Sequence, residues 1–252
     1  MDSLFWKNLV PDIQVLPATK LFYKQYVYKL EMLAYAGKSV STSMTVEESL
    51  AYRKISMRQI NYGGSWAIRS KQNIKNADVE WLKYLKGFKQ SPTFNCKIRI
   101  EEPSIQIYSD NEKDLYNFVA ELPNDYKKYV TGIARPETDQ VKSLMLAGKK
   151  VVKKPPTYEF KICFRDGNYE PSTRQSVLNY LDGLGNLVRI PKHFKEEFNK
   201  PYNNIWDCYI YSNDINIATF IQLINPNLIR SIIEMAVVDE INTAIIQECH
   251  NG

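Results

Sequence analysis

The chain has 252 residues, of which 44% are hydrophobic and 24% charged, so there is enough apolar material for a sizeable core and wholesale disorder is excluded. Lysine and arginine total 33 against 28 acidic residues, and the net charge of +5 permits a polyanionic partner without requiring one. No run approaches the ~18 apolar residues of a membrane-crossing helix, and Met1 to Pro17 lacks a basic leader and a clean apolar stretch, so the expected location is the cytoplasm.

Residues 1–44 read as an N-terminal extension, and residues 45–136 as a first folding unit. That unit opens on Lys54 to Tyr62, read as a strand. An alternative makes the aromatic run Leu21 to Leu33 the opening strand, with Val46 to Arg53 an extra helix behind a Thr45 cap. Asp78 to Lys86 is helical, with Val79, Leu82 and Leu85 at helix spacing. Cys96 to Ile100 and Ile105 to Ser109 alternate as strands around a Glu102-Pro103-Ser104 turn. Asp110 or Asn111 caps a helix to Leu122, and Tyr126 to Ala134 closes the unit as a strand.

Residues 137–157 read as a basic linker ending in Pro155-Pro156, and residues 158–252 as a second unit. Tyr158 to Arg165 alternates as a strand and turns at Asp166-Gly167. Ser172 caps a helix to Asp182, which Gly183 stops. Leu187 to Tyr202 holds a second strand and an inserted segment. Trp206 to Ser212 is a strand, Asp214 caps a helix through Leu223, and Leu228 to Val238 is a buried strand. A last helix covers Asp239 to Glu248.

Three short segments recur in the same order in both halves. Lys54 to Tyr62 matches Lys161 to Tyr169 at lysine, isoleucine, arginine, asparagine and tyrosine. Leu82-Lys83-Tyr84-Leu85-Lys86-Gly87 matches Leu178-Asn179-Tyr180-Leu181-Asp182-Gly183. Ile107-Tyr108-Ser109-Asp110-Asn111 matches Ile210-Tyr211-Ser212-Asn213-Asp214. The expected class is α+β, with tandem duplicated ferredoxin-like (βαββαβ) units after the extension.

Strand alternation puts Tyr108 on the polar face beside Gln106, and puts Tyr209 and Tyr211 together on one face. Aromatics on an open sheet face can stack single-stranded bases; packing with polar tips exposed explains them equally well. Arg58 and Arg165 could meet phosphate, although a surface arginine paired with an acid is the simpler account. Lys149, Lys150, Lys153 and Lys154, and the later cluster with Arg189 and Lys192, would add salt-dependent affinity or merely solvate the surface.

The cysteines, Cys96, Cys163, Cys208 and Cys249, form no CxxC pair, and the chain has two histidines, so no metal or cofactor is expected. His193 is the weak candidate for catalysis, with Glu196 and Glu197 nearby in sequence. No GxxxxGK[ST], HExxH or GxSxG motif occurs. The expected function is single-stranded RNA or DNA binding, without catalysis. The prominence of lysine, tyrosine, asparagine and isoleucine would suit a phage or viral genome. The alternatives are an assembly protein, a virion or complex subunit that binds protein or its own copies, and a metal-independent ribonuclease using His193.

Overall fold

The computed structural model describes residues 3–59, 65–90, 96–202 and 204–238. The chain divides into two units, Met1–Glu137 and Thr138–Gly252. The architecture is α+β, with one five-stranded mixed sheet in each unit.

In the first unit, α1 (Ser3–Leu9) and β1 (Gln14–Pro17) precede β2 (Tyr28–Leu33). Helices α2 (Val46–Gln59), α3 (Ser65–Lys75) and α4 (Val79–Gln90) follow. The hairpin β3 (Lys97–Glu101) and β4 (Ser104–Ser109) then leads to α5 (Glu112–Glu121), α6 (Asn124–Lys127) and β5 (Val130–Arg135). The sheet order is β1-β5-β2-β4-β3, antiparallel except for β1 beside β5.

The second unit has a sheet of the same strand order with different connections. Helix α7 (Asp139–Leu146) and β6 (Lys150–Val152) precede β7 (Phe160–Phe164), β8 (Gly167–Asn168) and α8 (Pro171–Gly183). Next come β9 (Val188–Arg189), α9 (Lys192–Phe198), β10 (Asn204–Ile205), β11 (Tyr209–Ser212), α10 (Asn216–Ile224) and β12 (Ile229–Val237). The sheet order is β6-β12-β7-β11-β9, with β6 parallel to β12 and the other pairs antiparallel. Strands β8 and β10 form a separate antiparallel pair.

Local chemistry explains where the opening strand of the first unit lies. Thr45 and Glu48 form a reciprocal capping box: the Glu48 N–H donates to Thr45 Oγ1 and the Thr45 N–H to Glu48 Oε2. Acidic Glu47 and Glu48 also suit the positive end of a helix. Lys54 to Gln59 therefore continue α2 instead of forming a strand, and β2 opens the sheet. The match between Lys54 to Tyr62 and Lys161 to Tyr169 does not join equivalent elements, since Lys161 lies on β7. Residues 1–44 are not an appendage, because β1 and β2 belong to the first sheet. The expected linker is likewise structured, with Thr138 capping α7 and β6 forming a sheet edge. Helix α8 starts at Pro171, with Glu170 before it, in place of a Ser172 cap. The helix expected over Asp239 to Glu248 lies outside the described residues.

The other two matches fall at corresponding places in the chain order of the two units. Leu82 and Leu85 of α4 are buried, as are Leu178 and Leu181 of α8, and each helix is the last before the second strand of its four-strand set. At the end of β4, Ser109 Oγ accepts from the Asn111 N–H, and Asn111 Oδ1 accepts from the Lys113 N–H. At the end of β11, Ser212 Oγ accepts from the Asp214 N–H, and Asp214 Oδ1 accepts from the Asn216 N–H. Asn111 is thereby the N-cap of α5, whereas Asp214 stands one residue before Ile215, the cap position of α10.

One face of each sheet builds the core. Leu30, Met32, Ile105, Ile107 and Ile133 are fully buried in the first unit, to within 1% exposure. In the second, Ile162, Phe164 and Ile210 pack with Val177, Leu181, Ile217 and Ile221. Each such aliphatic contributes roughly 1.5–3 kcal/mol. Asp78 anchors α4: Oδ1 accepts from the Trp81 N–H at 3.2 Å, and Oδ2 from the Tyr129 hydroxyl at 2.6 Å. The bond from Tyr129 holds the Asp78 carboxyl below its ordinary range. A carboxyl depressed on folding stabilises the fold above its unfolded pKa, and this contribution is lost as pH falls through the folded value. We expect Asp78→Ala to cost about 1–2 kcal/mol through loss of the cap. Asp78→Asn should flatten the acid limb of stability against pH, measured by urea denaturation from pH 7 to pH 3.

Candidate nucleic-acid interface

The face opposite each core carries a row of polar and aromatic side chains set by strand register. In the first sheet, Tyr108 on β4 stands between Lys29 on β2 and Lys97 on β3. In the second, Tyr211 on β11 stands between Lys161 on β7 and Arg189 on β9. Both rows therefore read cation, tyrosine, cation across the first, third and second strands. The isoleucine before each tyrosine, Ile107 or Ile210, points into the core and is fully buried. Period-two alternation forces this division of faces.

The two rows differ in cover. Tyr108 is only 4% exposed. Phe22, Tyr23 and Tyr26 surround its ring, with centroids at 5.6, 5.0 and 6.2 Å. Its hydroxyl donates to Gln106 Oε1. Tyr211 and Tyr209 are half-buried, and their rings meet edge to face at 5.4 Å. Lys161 Nζ lies 3.5 Å from the Tyr209 centroid, and Arg189 Cζ lies 5.7 Å from the Tyr211 centroid. Burial and the neighbouring Tyr209 raise the Tyr211 phenol above its ordinary pKa, so at neutral pH it is an uncharged ring with a hydroxyl donor. The arrangement offers π-faces and two cations side by side, the chemistry that holds a base and a phosphate.

The expected site residues are scattered by comparison. Lys150 lies opposite Met235 on β12, two positions from Ile233, which pairs with Lys161; Lys150 therefore shares the face of Lys161, Tyr211 and Arg189. Lys149 is ion-paired with Glu234 at 2.6 Å. Lys153 and Lys154 are exposed beyond the end of β6. Arg165 is exposed just past β7, and Lys192 on α9 faces Glu196 at 3.6 Å. Arg58 falls on α2, not on a sheet. Lys161, Lys29 and Lys97 were not singled out by sequence. Their signal was a lysine followed by leucine or isoleucine in a strand, the antiparallel complement of Ile-Tyr.

His193 Nε2 donates to the Trp206 carbonyl at 3.1 Å. Trp206 is itself 56% exposed, while its N–H donates to Glu197 Oε2 at 3.2 Å. Glu197, also bonded to Lys200, is buried. His193 and Glu197 thus hold the turn that precedes β11. Burial pushes the Cys208 thiol up to about 12, which keeps it a protonated core group. Among the described residues, no cluster of three or more His, Cys, Asp or Glu could hold a metal ion, and no helix is long and apolar enough to cross a membrane.

No protein-family model, curated protein or solved structure matches this chain. We expect Glu197→Ala to strand the Trp206 N–H and lower stability by about 1–3 kcal/mol, measured by urea denaturation at pH 7.

Proposed function

We propose that the two units are copies of one ferredoxin-like plan, each preceded by its own helix and edge strand, and that the open face of the second binds single-stranded nucleic acid. The observation that carries the binding reading is the row Lys161, Tyr211, Arg189, with Tyr209 beside it and Lys150 on the same face. Bases stack on tyrosine whatever their sequence, and each stack is worth roughly 1–3 kcal/mol. The cations meet phosphate and release counterions, so affinity falls with salt. Stacking from the central strands of a four-stranded sheet is a common route to single-strand recognition. Here β11 supplies both rings, and β7 supplies Lys161.

A labelled oligothymidylate or oligouridylate should bind in low salt, measured by fluorescence anisotropy. Tyr211→Ala should weaken it roughly 5- to 150-fold, the equivalent of one stacked base. Lys161→Ala and Arg189→Ala should each flatten the slope of log affinity against log salt by about 0.7. No binding in low salt, or binding untouched by all three changes, would remove this reading.

A second reading, assembly with protein, draws on α10. Phe220 is 53% exposed and Leu223 77% exposed, and Phe220 packs on Tyr180 at 5.9 Å. Sedimentation should then show a discrete oligomer that Leu223→Asp dissociates.

A further inference from the structure

The first sheet has the same row but a different occupant. The connection from β1 to β2 is ten residues long, whereas its counterpart from β6 to β7 is seven and contains Pro155-Pro156. The longer connection folds a small hairpin at Phe22 to Tyr26. We propose that this hairpin is a self-ligand: it fills a second base-stacking platform, built on Tyr108, that opens when the hairpin lifts. This inference rests on the base-stacking reading of the Tyr211 row.

Tyr23 is the ring nearest Tyr108, and it covers the place over Tyr108 that the proposal gives to a base. Its ring meets Tyr108 edge-on, and Lys97 Nζ lies 3.9 Å from its centroid. Arg99 Nη1 donates to its hydroxyl at 2.9 Å. The aromatic ring is thus held by tyrosine, lysine and arginine together, the set that recognises a base and its polar edge. Lys29 likewise stands over Phe22 at 5.4 Å.

The hairpin has the marks of a cover and not of a core. Tyr23 is 43% exposed. The paired bonds between Phe22 and Tyr26, and the Gln25 N–H to Phe22 carbonyl bond, are internal to the hairpin. Tyr23 and Lys24 have φ of 54° and 60°, a left-handed region that bulky side chains avoid. A strained tip held by aromatic and cationic contacts can be displaced by a ligand that makes the same contacts without the strain.

The test is the stoichiometry of a short oligothymidylate titrated into the full chain. Tyr23→Gly keeps the turn, since glycine accepts positive φ, and removes the nearest of the three covering rings together with the ring that Lys97 and Arg99 hold. The parent should bind one oligonucleotide per chain and Tyr23→Gly two. Adding Tyr108→Ala to Tyr23→Gly should return the count to one. Tyr23→Phe keeps every ring and Arg99 but loses the hydroxyl that Arg99 holds, and should tighten the second site at least tenfold over the parent. If Tyr23→Gly and Tyr23→Phe, both folded by circular dichroism, still bind one molecule lost only with Tyr211→Ala, the self-ligand idea is wrong and the Tyr211 reading stands. Binding by Tyr23→Gly alone, dependent on Tyr108, would uphold the self-ligand and overturn the Tyr211 reading. Absence of binding by every variant overturns both.

Discussion

An Ile-Tyr pair on the third strand of each four-strand set governs the rest of the structure. Antiparallel pairing of β4 with β2, and of β11 with β7, sends Ile107 and Ile210 under the helices and turns Tyr108 and Tyr211 to the opposite face. A one-residue slip would exchange the faces and expose the isoleucines, so the core that stabilises the fold also fixes the tyrosines among their cations. Ser109 and Ser212 follow at once and end each strand with the same side-chain bonds into the next helix. Three consecutive residues, isoleucine, tyrosine and serine, therefore tie the core and the register to the turn that leads into the next helix.

The two units differ in several connections, and the one that bears on the tyrosine rows is that leading into β2 and β7. Ten residues between β1 and β2 leave enough chain to curl back over Tyr108, whereas seven with two prolines run more directly to β7. Proline restricts its own φ and that of its neighbour, which favours an extended path. The exposed row then carries Lys161 against Tyr209 and Arg189 against Tyr211. Such contacts are worth only about 0.5–1 kcal/mol where water reaches them, so the charges remain available to a stronger partner.

Much of this was legible in the amino-acid order, for identifiable reasons. The β3–β4 hairpin follows from alternation and α5 from its Asn111 cap, which are local signals, whereas the cap position of α10 is Ile215, one residue past the expected Asp214. The third recurring segment falls at the same place in both sheet orders, with its isoleucine in the core and its serine bonded to the N–H two residues on. The first segment misled because lysine followed by isoleucine also occurs in α2, where the capping box at Thr45 decides the outcome. The strand position that Lys161-Ile162 holds on β7 is held in the first sheet by Lys29-Leu30 on β2, in what read as an extension. The rows of cations could not be seen without register, which joins residues as distant as Lys29 and Tyr108. Nor does alternation reveal that Tyr108 is covered, because the cover comes from a separate part of the chain.

The most direct measurement is the map of backbone amide shifts in a nitrogen-15 spectrum as an unlabelled oligonucleotide is added. The changes should concentrate on Lys161, Tyr209, Tyr211 and Arg189, with Lys150 at the margin. Changes confined to α8 and α10, around Tyr180, Phe220 and Leu223, would place the contact on the wrong side of the sheet and contradict the account.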